Sequence, residues 1–227
     1  MSLFQIIETG DGSHTLLNTA LDETYHSRHG AVQESVHVFI NNGLWHRLNG
    51  VAIASINILE IGLGTGLNAW LTMLEADKHP AIQFHYTGLE PYPVEESVLQ
   101  QLNYTQPDET KQQVYFEAIH RAATNQTVAL TNNFVLHKQL SEVQHIEQQQ
   151  HYDVIYFDAF APNKQPELWE KPIIERVTAW LNPSGVWVTY SAKGQLKRDL
   201  KSLDLQVETL PGPPGKAEMV RATNTTQ

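Results

Sequence analysis

Three glycines at alternate positions, Gly62, Gly64 and Gly66, separate an apolar run, Ile56 to Ile61, from a segment with helical spacing, Leu67 to Ala76. A loop of this kind can approach a ligand closely, because residues without Cβ leave room for it. Its spacing is G-x-G-x-G, whereas a dinucleotide fingerprint would put the third glycine at position 67, which is leucine. Glu60, just before the loop, would repel a pyrophosphate and pair with a cationic amino group. Loop and acid together point to S-adenosylmethionine, which has no pyrophosphate, in preference to NAD. Glu90 closes the next apolar run, Ile82 to Leu89, at the place where doubly wound folds hydrogen-bond a ribose diol. The glycines alone would fit an ordinary strand-to-helix turn. Two acids at successive strand ends make nucleoside binding the stronger reading.

A third acid stands at the end of another apolar run: Tyr152 to Phe157 leads into Asp158-Ala159-Phe160-Ala161-Pro162. Strand carboxyl ends line the ligand crevice of a doubly wound sheet, so Asp158 is expected to face the same space as Gly62 and Glu90. Methyl transfer from a sulfonium needs an uncharged nucleophile, and a primary amine is largely protonated at neutral pH. A carboxylate there can orient the amine or take up its proton. The bland reading of Asp158 is a cap for the following segment. Phe160 and Trp169 could wall the pocket or stack on a base, and either could equally belong to the core.

These residues need a scaffold of alternating strands and helices, and from Ile56 onward the chain has that grammar. Strands are expected at 56–61, 82–89, 134–137, 152–157, 186–190, 205–209 and 219–222. Helices are expected from Leu67, from Pro93 with Glu95 and Glu96 in its first turn, over Ser141 to Gln150, over Glu170 to Leu181 and over Gln195 to Leu203. Val114, Tyr115, Ala118, Ile119 and Ala122 have helical spacing within the less legible stretch 103–133. Residues 1–50 read as a β-rich extension, with Val36, Val38 and Ile40 alternating before an Asn41-Asn42-Gly43 turn. The main domain is expected over 51–222, and 223–227 reads as a disordered tail.

The 227-residue length suits one domain. No run approaches the roughly 18 apolar residues of a membrane span, and no secretory signal is visible in Met1 to Gly10. The absence of cysteine excludes disulfides and thiolate metal sites and makes a cytoplasmic location the simplest reading. The eleven histidines are too scattered to suggest a metal site. A formal charge of -10 opposes bulk electrostatic binding of nucleic acid. That charge is uneven, however: residues 1–157 hold 6 Lys and Arg against 17 Asp and Glu, and residues 158–227 hold 9 against 8. Phosphate contacts are therefore expected from Lys164, Lys193, Lys197, Arg198 and Lys216.

Beyond these readings, the chain resembles the MnmC-type methyltransferase domain in its stand-alone form. The resemblance is carried by Asp22 to Ser27, Gln33-Glu34-Ser35, Glu60 to Asn68, Asp158 to Pro162 with Pro166-Glu167-Leu168-Trp169, and Gly215 to Met219. It implies a Rossmann-like class I methyltransferase fold, α/β, with a mostly parallel sheet of seven strands behind the N-terminal extension. The implied activity is N-methylation of 5-aminomethyl-2-thiouridine at the tRNA wobble position by S-adenosylmethionine, without metal. Two-domain relatives add a flavin-dependent oxidase. This chain stops after the methyltransferase part, so the expectation is methyl transfer without FAD, on an amine supplied by a separately encoded enzyme. Carried over by position, the resemblance puts Tyr25 and Ser27 at the pocket entrance, and Glu60, Gly62, Gly64, Thr65, Gly66 and Asn68 at the methionine part. It puts Glu90 at the ribose, Ala159 with the cofactor, Asp158 both beside the cofactor and at the reacting amine, and Phe160, Pro162, Lys164, Trp169 and Lys216 toward the substrate. Where relatives often carry an acid near the adenine, this chain has Gln139, whose carbonyl can still accept from the adenine amino group. Val36 stands where relatives may have an arginine. A polyamine aminopropyltransferase or a small-molecule methyltransferase would use the same framework, and the acidic chain suits a polyamine.

Overall fold

The computed structural model describes residues 3–105, 110–147 and 150–226. Three short strands, β1 (Phe4–Glu8), β2 (His14–Asn18) and β3 (Glu23–Thr24), make a small antiparallel sheet at the amino end. The turn between β1 and β2 prepares the next element: Asp11 accepts from the Ser13 amide and hydroxyl, and its second oxygen accepts the backbone N–H of Gln33 at 2.9 Å. An acid from a distant turn thus satisfies a free donor at the start of α1 (Ala31–Ser35).

Helix α1 continues into a ten-residue π-helical stretch, Val36–Trp45, and ends in α2 (His46–Leu48). This corrects the strand and turn expected over residues 36–43. The alternation of Val36, Val38 and Ile40 overlooked Phe39, which is buried between Val38 and Ile40, and Leu44, buried beyond the two asparagines, so the buried positions do not alternate. The wide turn lets the Asn42 amide donate to the His37 carbonyl at 2.8 Å. It also lays Gly43 against the sheet, where an added Cβ would lie 2.9 Å from Val188 Cγ2 and 3.1 Å from Tyr156 Cε1.

The main sheet follows, from β4 (Ser55–Ile61), α3 (Leu67–Lys78), β5 (Gln83–Leu89), α4 (Glu96–Leu99), α5 (Thr110–Arg121), β6 (Thr127–Thr131), β7 (Phe134–Gln139), β8 (Tyr152–Phe157), α6 (Lys171–Thr178), β9 (Leu181–Thr189), α7 (Gly194–Ser202), β10 (Leu205–Pro211) and β11 (Glu218–Asn224). It has eight strands in the order β10-β11-β9-β8-β4-β5-β7-β6, one more than the seven expected. The extra strand is β6, which forms an antiparallel hairpin with β7; its five residues, Thr127–Thr131, lie in the stretch 103–133 whose reading rested on helical spacing alone. The five central strands are parallel and both edges antiparallel. The chain builds β4, β5 and β7 outward in one direction and then returns to place β8 on the other side of β4. That reversal opens a crevice between the carboxyl ends of β4 and β8.

Other expectations shift in detail. The helix expected from Pro93 is only the four-residue α4, and Ser141 to Gln150 yields a single 3-10 turn, Val143–His145, with residues 148–149 outside the described residues. The tail expected from Thr223 is instead strand through Asn224, whose amide donates to the Leu181 and Asn182 carbonyls at 3.3 and 3.1 Å. Among the described residues, no helix is long and apolar enough to cross a membrane.

Burial divides between the two faces of the sheet. Ile58, Tyr86, Val154, Tyr156 and Val188 pack under the π-helical stretch, α3 and α5, whereas Leu59, Ile155, Phe157 and Trp187 pack under α6 and α7. Gly43→Ala tests the first contact. Alanine is favoured over glycine in a helix by about 1 kcal/mol, but forcing a methyl into a filled core costs about 1–3 kcal/mol. The expected outcome in urea unfolding is a net loss of stability; a more stable variant would show that the π-helical stretch rests loosely on the sheet.

Candidate functional site

At the mouth of the crevice the glycine loop serves close packing. Gly62, with φ 87°, stands where a Cβ would lie 2.7 Å from the Asp158 carbonyl oxygen, so its lack of side chain lets the ends of β4 and β8 meet. Gly64, with φ 51°, lies under the Tyr25 ring, which a Cβ would approach to 2.9 Å. The amides of Gly62 and Leu63 both donate to the Leu89 carbonyl at 3.0 Å, and that of Gly64 donates to Glu90 at 2.9 Å. Donors turned inward in this way do not form a phosphate cradle, and recognition in the crevice falls to the carboxylates.

Glu60 is buried at the end of β4. It accepts from the Tyr86 hydroxyl at 2.7 Å and from the Asn68 amide at 2.8 Å. The same Asn68 nitrogen donates to Asp158 at 2.8 Å, so one NH2 group in the first turn of α3 bridges acids from two strands. Burial holds the Glu60 carboxyl well above its ordinary range, outweighing the two donated hydrogen bonds. Asp158 is half-buried, with protein on most sides. Burial first, and the Glu34 carboxylate second, push it up to about 8, against the Asn68 hydrogen bond and the Lys216 ammonium. Glu90 accepts the backbone N–H of Gly64 and of Tyr92 and is also raised by burial. The buried Asn68 Oδ1 has no hydrogen-bond partner, leaving an acceptor beside the two acids.

Aromatic residues wall this cluster. Tyr25 meets Phe160 edge-on at 5.0 Å between ring centroids. Trp169 is buried and donates its indole N–H to the Phe160 carbonyl at 2.8 Å, so it supports the wall from the core side. Tyr190, at the carboxyl end of β9, donates to the Ala159 carbonyl at 2.8 Å. Pro162 lies half-buried in the turn after Ala159.

The structure brings Tyr25, Glu60, the three loop glycines, Asn68, Glu90, Asp158, Ala159 and Phe160 together. Several other expected residues face elsewhere. Thr65 is fully buried, with its hydroxyl 3.2 Å from that of Tyr104. The Ser27 hydroxyl accepts the His29 amide. The Gln139 carbonyl accepts the Glu90 N–H, while its side chain lines a cavity of about 270 Å³ with His85 and His137. Lys164 donates to the carbonyls of Leu21 and Asp22 at 2.9 and 2.8 Å; Lys216 stays at the crevice wall, where it pairs with Glu34. Lys197 pairs with Glu218 at 3.2 Å, and Arg198 donates to Gln195 at 2.7 Å. Chain position alone named Glu34, Tyr86 and Tyr190 nowhere as site residues. Tyr190 could have been found from its place at a strand's carboxyl end, and Tyr86 from its sharing a sheet face with Glu60.

Lys164 offers a direct test of a structural role. Lys164→Met removes two charge-assisted bonds that fasten the loop before β3, and should destabilise the protein by about 1–3 kcal/mol in thermal unfolding. Unchanged stability would mean that the ammonium is free for another partner.

Comparisons with known proteins bear on the fold and the family. Residues 102–225 match the profile of a family described as S-adenosyl-L-methionine-dependent methyltransferase. The chain is 28% identical over 222 residues to the tRNA 5-methylaminomethyl-2-thiouridine biosynthesis bifunctional protein MnmC of Pseudoalteromonas atlantica, covering 91% of this chain and 32% of that protein. It is 27% identical over 219 residues to the protein of the same name from Idiomarina loihiensis, covering 90% and 36%. The chain thus spans about a third of the length of these curated relatives. The crystal structure of MNMC2 from Aquifex aeolicus superposes with a TM-score of 0.83 at 22% identity, covering 100% of this chain and 72% of that one, which establishes a shared fold. With the family profile matching more than half of its length, this chain belongs to the S-adenosyl-L-methionine-dependent methyltransferases.

Proposed function

We propose that the protein methylates the primary amine of a 5-aminomethyl-2-thiouridine at the tRNA wobble position, and that Asp158 receives that amine. The observation that carries this reading is a carboxyl raised to about 8, standing at the sheet's reversal point and joined through Asn68 to a second buried acid. The names of the MnmC relatives support the choice of acceptor.

The residues present fit S-adenosylmethionine. Glu60 is buried without a cation, and a methionine ammonium would supply one. Glu90 keeps a free lone pair on each oxygen after accepting its two backbone donors, enough for a ribose diol. When bound, the cofactor supplies an electrophilic methyl group on a sulfonium.

The work of this chain is then to hold and deprotonate the acceptor. A carboxyl raised to about 8 is mostly protonated at neutral pH, so an ammonium entering the crevice first favours loss of that proton to water; the Asp158 carboxylate can then take one proton from the nitrogen and expose its lone pair. A base raised toward 8 loses less driving force in that transfer than an ordinary carboxylate would. Tyr25, Phe160 and Tyr190 exclude water and offer ring edges and faces to a base and a cation. Trp169 fixes the Phe160 turn from behind.

The test is to incubate the protein with labelled S-adenosylmethionine and tRNA that lacks the final methyl group, and to identify the product nucleoside by mass spectrometry. Methylaminomethyl-2-thiouridine is expected; label appearing only on small amines would overturn the tRNA reading. In the same assay Asp158→Asn should lower single-turnover methylation by about 10² to 10⁴, with a much smaller change in cofactor affinity. A variant that is less stable yet methylates at the parent rate would show that Asp158 only caps its turn.

A further inference from the structure

The acceptor side of the crevice contains an ion pair that the mechanism above does not use. Glu34, buried on α1, receives the Lys216 ammonium on one carboxylate oxygen, while the other accepts the Ser27 amide at 2.9 Å. Lys216 comes from the turn between β10 and β11, almost the full length of the chain away from Glu34. Its nitrogen lies 4.4 Å above the centre of the Tyr190 ring. The Tyr190 hydroxyl in turn holds the carbonyl of Ala159, the residue after Asp158. The pair is therefore held by the Ser27 amide on one side and by the Tyr190 ring on the other, and Tyr190 ties it to the wall that carries Asp158.

We propose that Glu34 and Lys216 are positioning residues that balance each other's charge beside Asp158, so that the Asp158 carboxyl stays free to receive a single primary ammonium. The purpose rests on the amine reading given above; the arrangement does not. Two bare acids would share a proton between them, and a lysine facing Asp158 alone would occupy the place of the substrate. Placing the lysine on Glu34 avoids both outcomes.

The two members of the pair act on Asp158 with opposite sign: Glu34 makes it hold its proton more tightly, and Lys216 makes it release the proton more readily. The other groups facing Asp158 are Glu60 on β4, Tyr86 on β5 and Tyr190 at the end of β9, with Asn68 on α3 as neutral donor. Glu23 on β3 acts on Tyr190, and His26, pushed down to about 3 by burial and by Lys216, adds no charge near neutral pH.

The experiment uses the full chain, free of tRNA, with aspartate labelled by carbon-13 at the side-chain carboxyl. Asp158→Asn assigns the resonance, and its pH titration gives the midpoint. Lys216→Met, which keeps the stem on Tyr190, should move the midpoint up by about one pH unit, and Glu34→Gln should move it down by about as much. Lys216→Arg should restore the parent value, and Lys216→Gln reads the same effect if the methionine variant does not fold. Unmoved midpoints, or shifts of the same sign in both variants, would overturn the proposal. Because the titration needs no substrate, opposite shifts without methylation of tRNA would uphold the pair and reject the amine reading.

Discussion

Two carboxyl groups, Glu60 and Asp158, are brought out of water at the ends of neighbouring parallel strands and share a single amide donor, and the rest of the molecule is organised around that constraint. A buried acid without a cation is costly, and the raised proton affinity of both groups is the visible sign of that cost. The strand reversal puts β8 beside β4. Gly62 removes the Cβ that would hold the strands apart, and Gly66, left-handed at φ 74°, starts α3 so that Asn68 falls within its first turn. Each feature is local, yet only together do they leave a bridging NH2 group between two acids.

The walls come from the ends of the chain. The amino-terminal segment supplies Tyr25 and, through α1, Glu34; the last third supplies Tyr190 and, from the β10–β11 turn, Lys216. Asp11 and Lys164 help fasten the amino-terminal segment, one to the start of α1 and one to the loop before β3. Gly215, with φ 84°, lets its turn press against His29, so the two end segments touch beside the site. The N-terminal extension is thus part of the crevice through Tyr25 and Glu34.

What could be read in the sequence follows from how local each signal is. Strand ends carrying acids after apolar runs are local patterns, so Glu60, Glu90 and Asp158 were legible, as were the parallel core and the glycine loop. The role of the glycines was only half legible: their closeness was expected, but not that Leu89 and Glu90 would claim the loop amides from β5. The segment 36–45 was misread because β-like alternation and a contiguous apolar run coincide there, and only tertiary packing of Phe39 and Gly43 decides between them. The partners of the basic residues were hidden for a different reason. Charge counted along the chain carries no information about partners, and Lys164, Lys197 and Lys216 are engaged by groups 142, 21 and 182 residues away. The same distance hid Glu34, whose partner lies at the other end of the sequence.

The central claim is that the crevice waits for positive charge with at least one carboxyl held neutral by burial. Infrared difference spectroscopy, on adding S-adenosylmethionine to the protein at neutral pH, measures this directly. A methionine ammonium beside Glu60 favours the ionised form, so the band of a protonated carboxyl should fall and carboxylate bands should rise, and Glu60→Gln should remove the Glu60 share of the change. If the cofactor binds and no protonated carboxyl band is lost, the crevice is not the cation receptor described here.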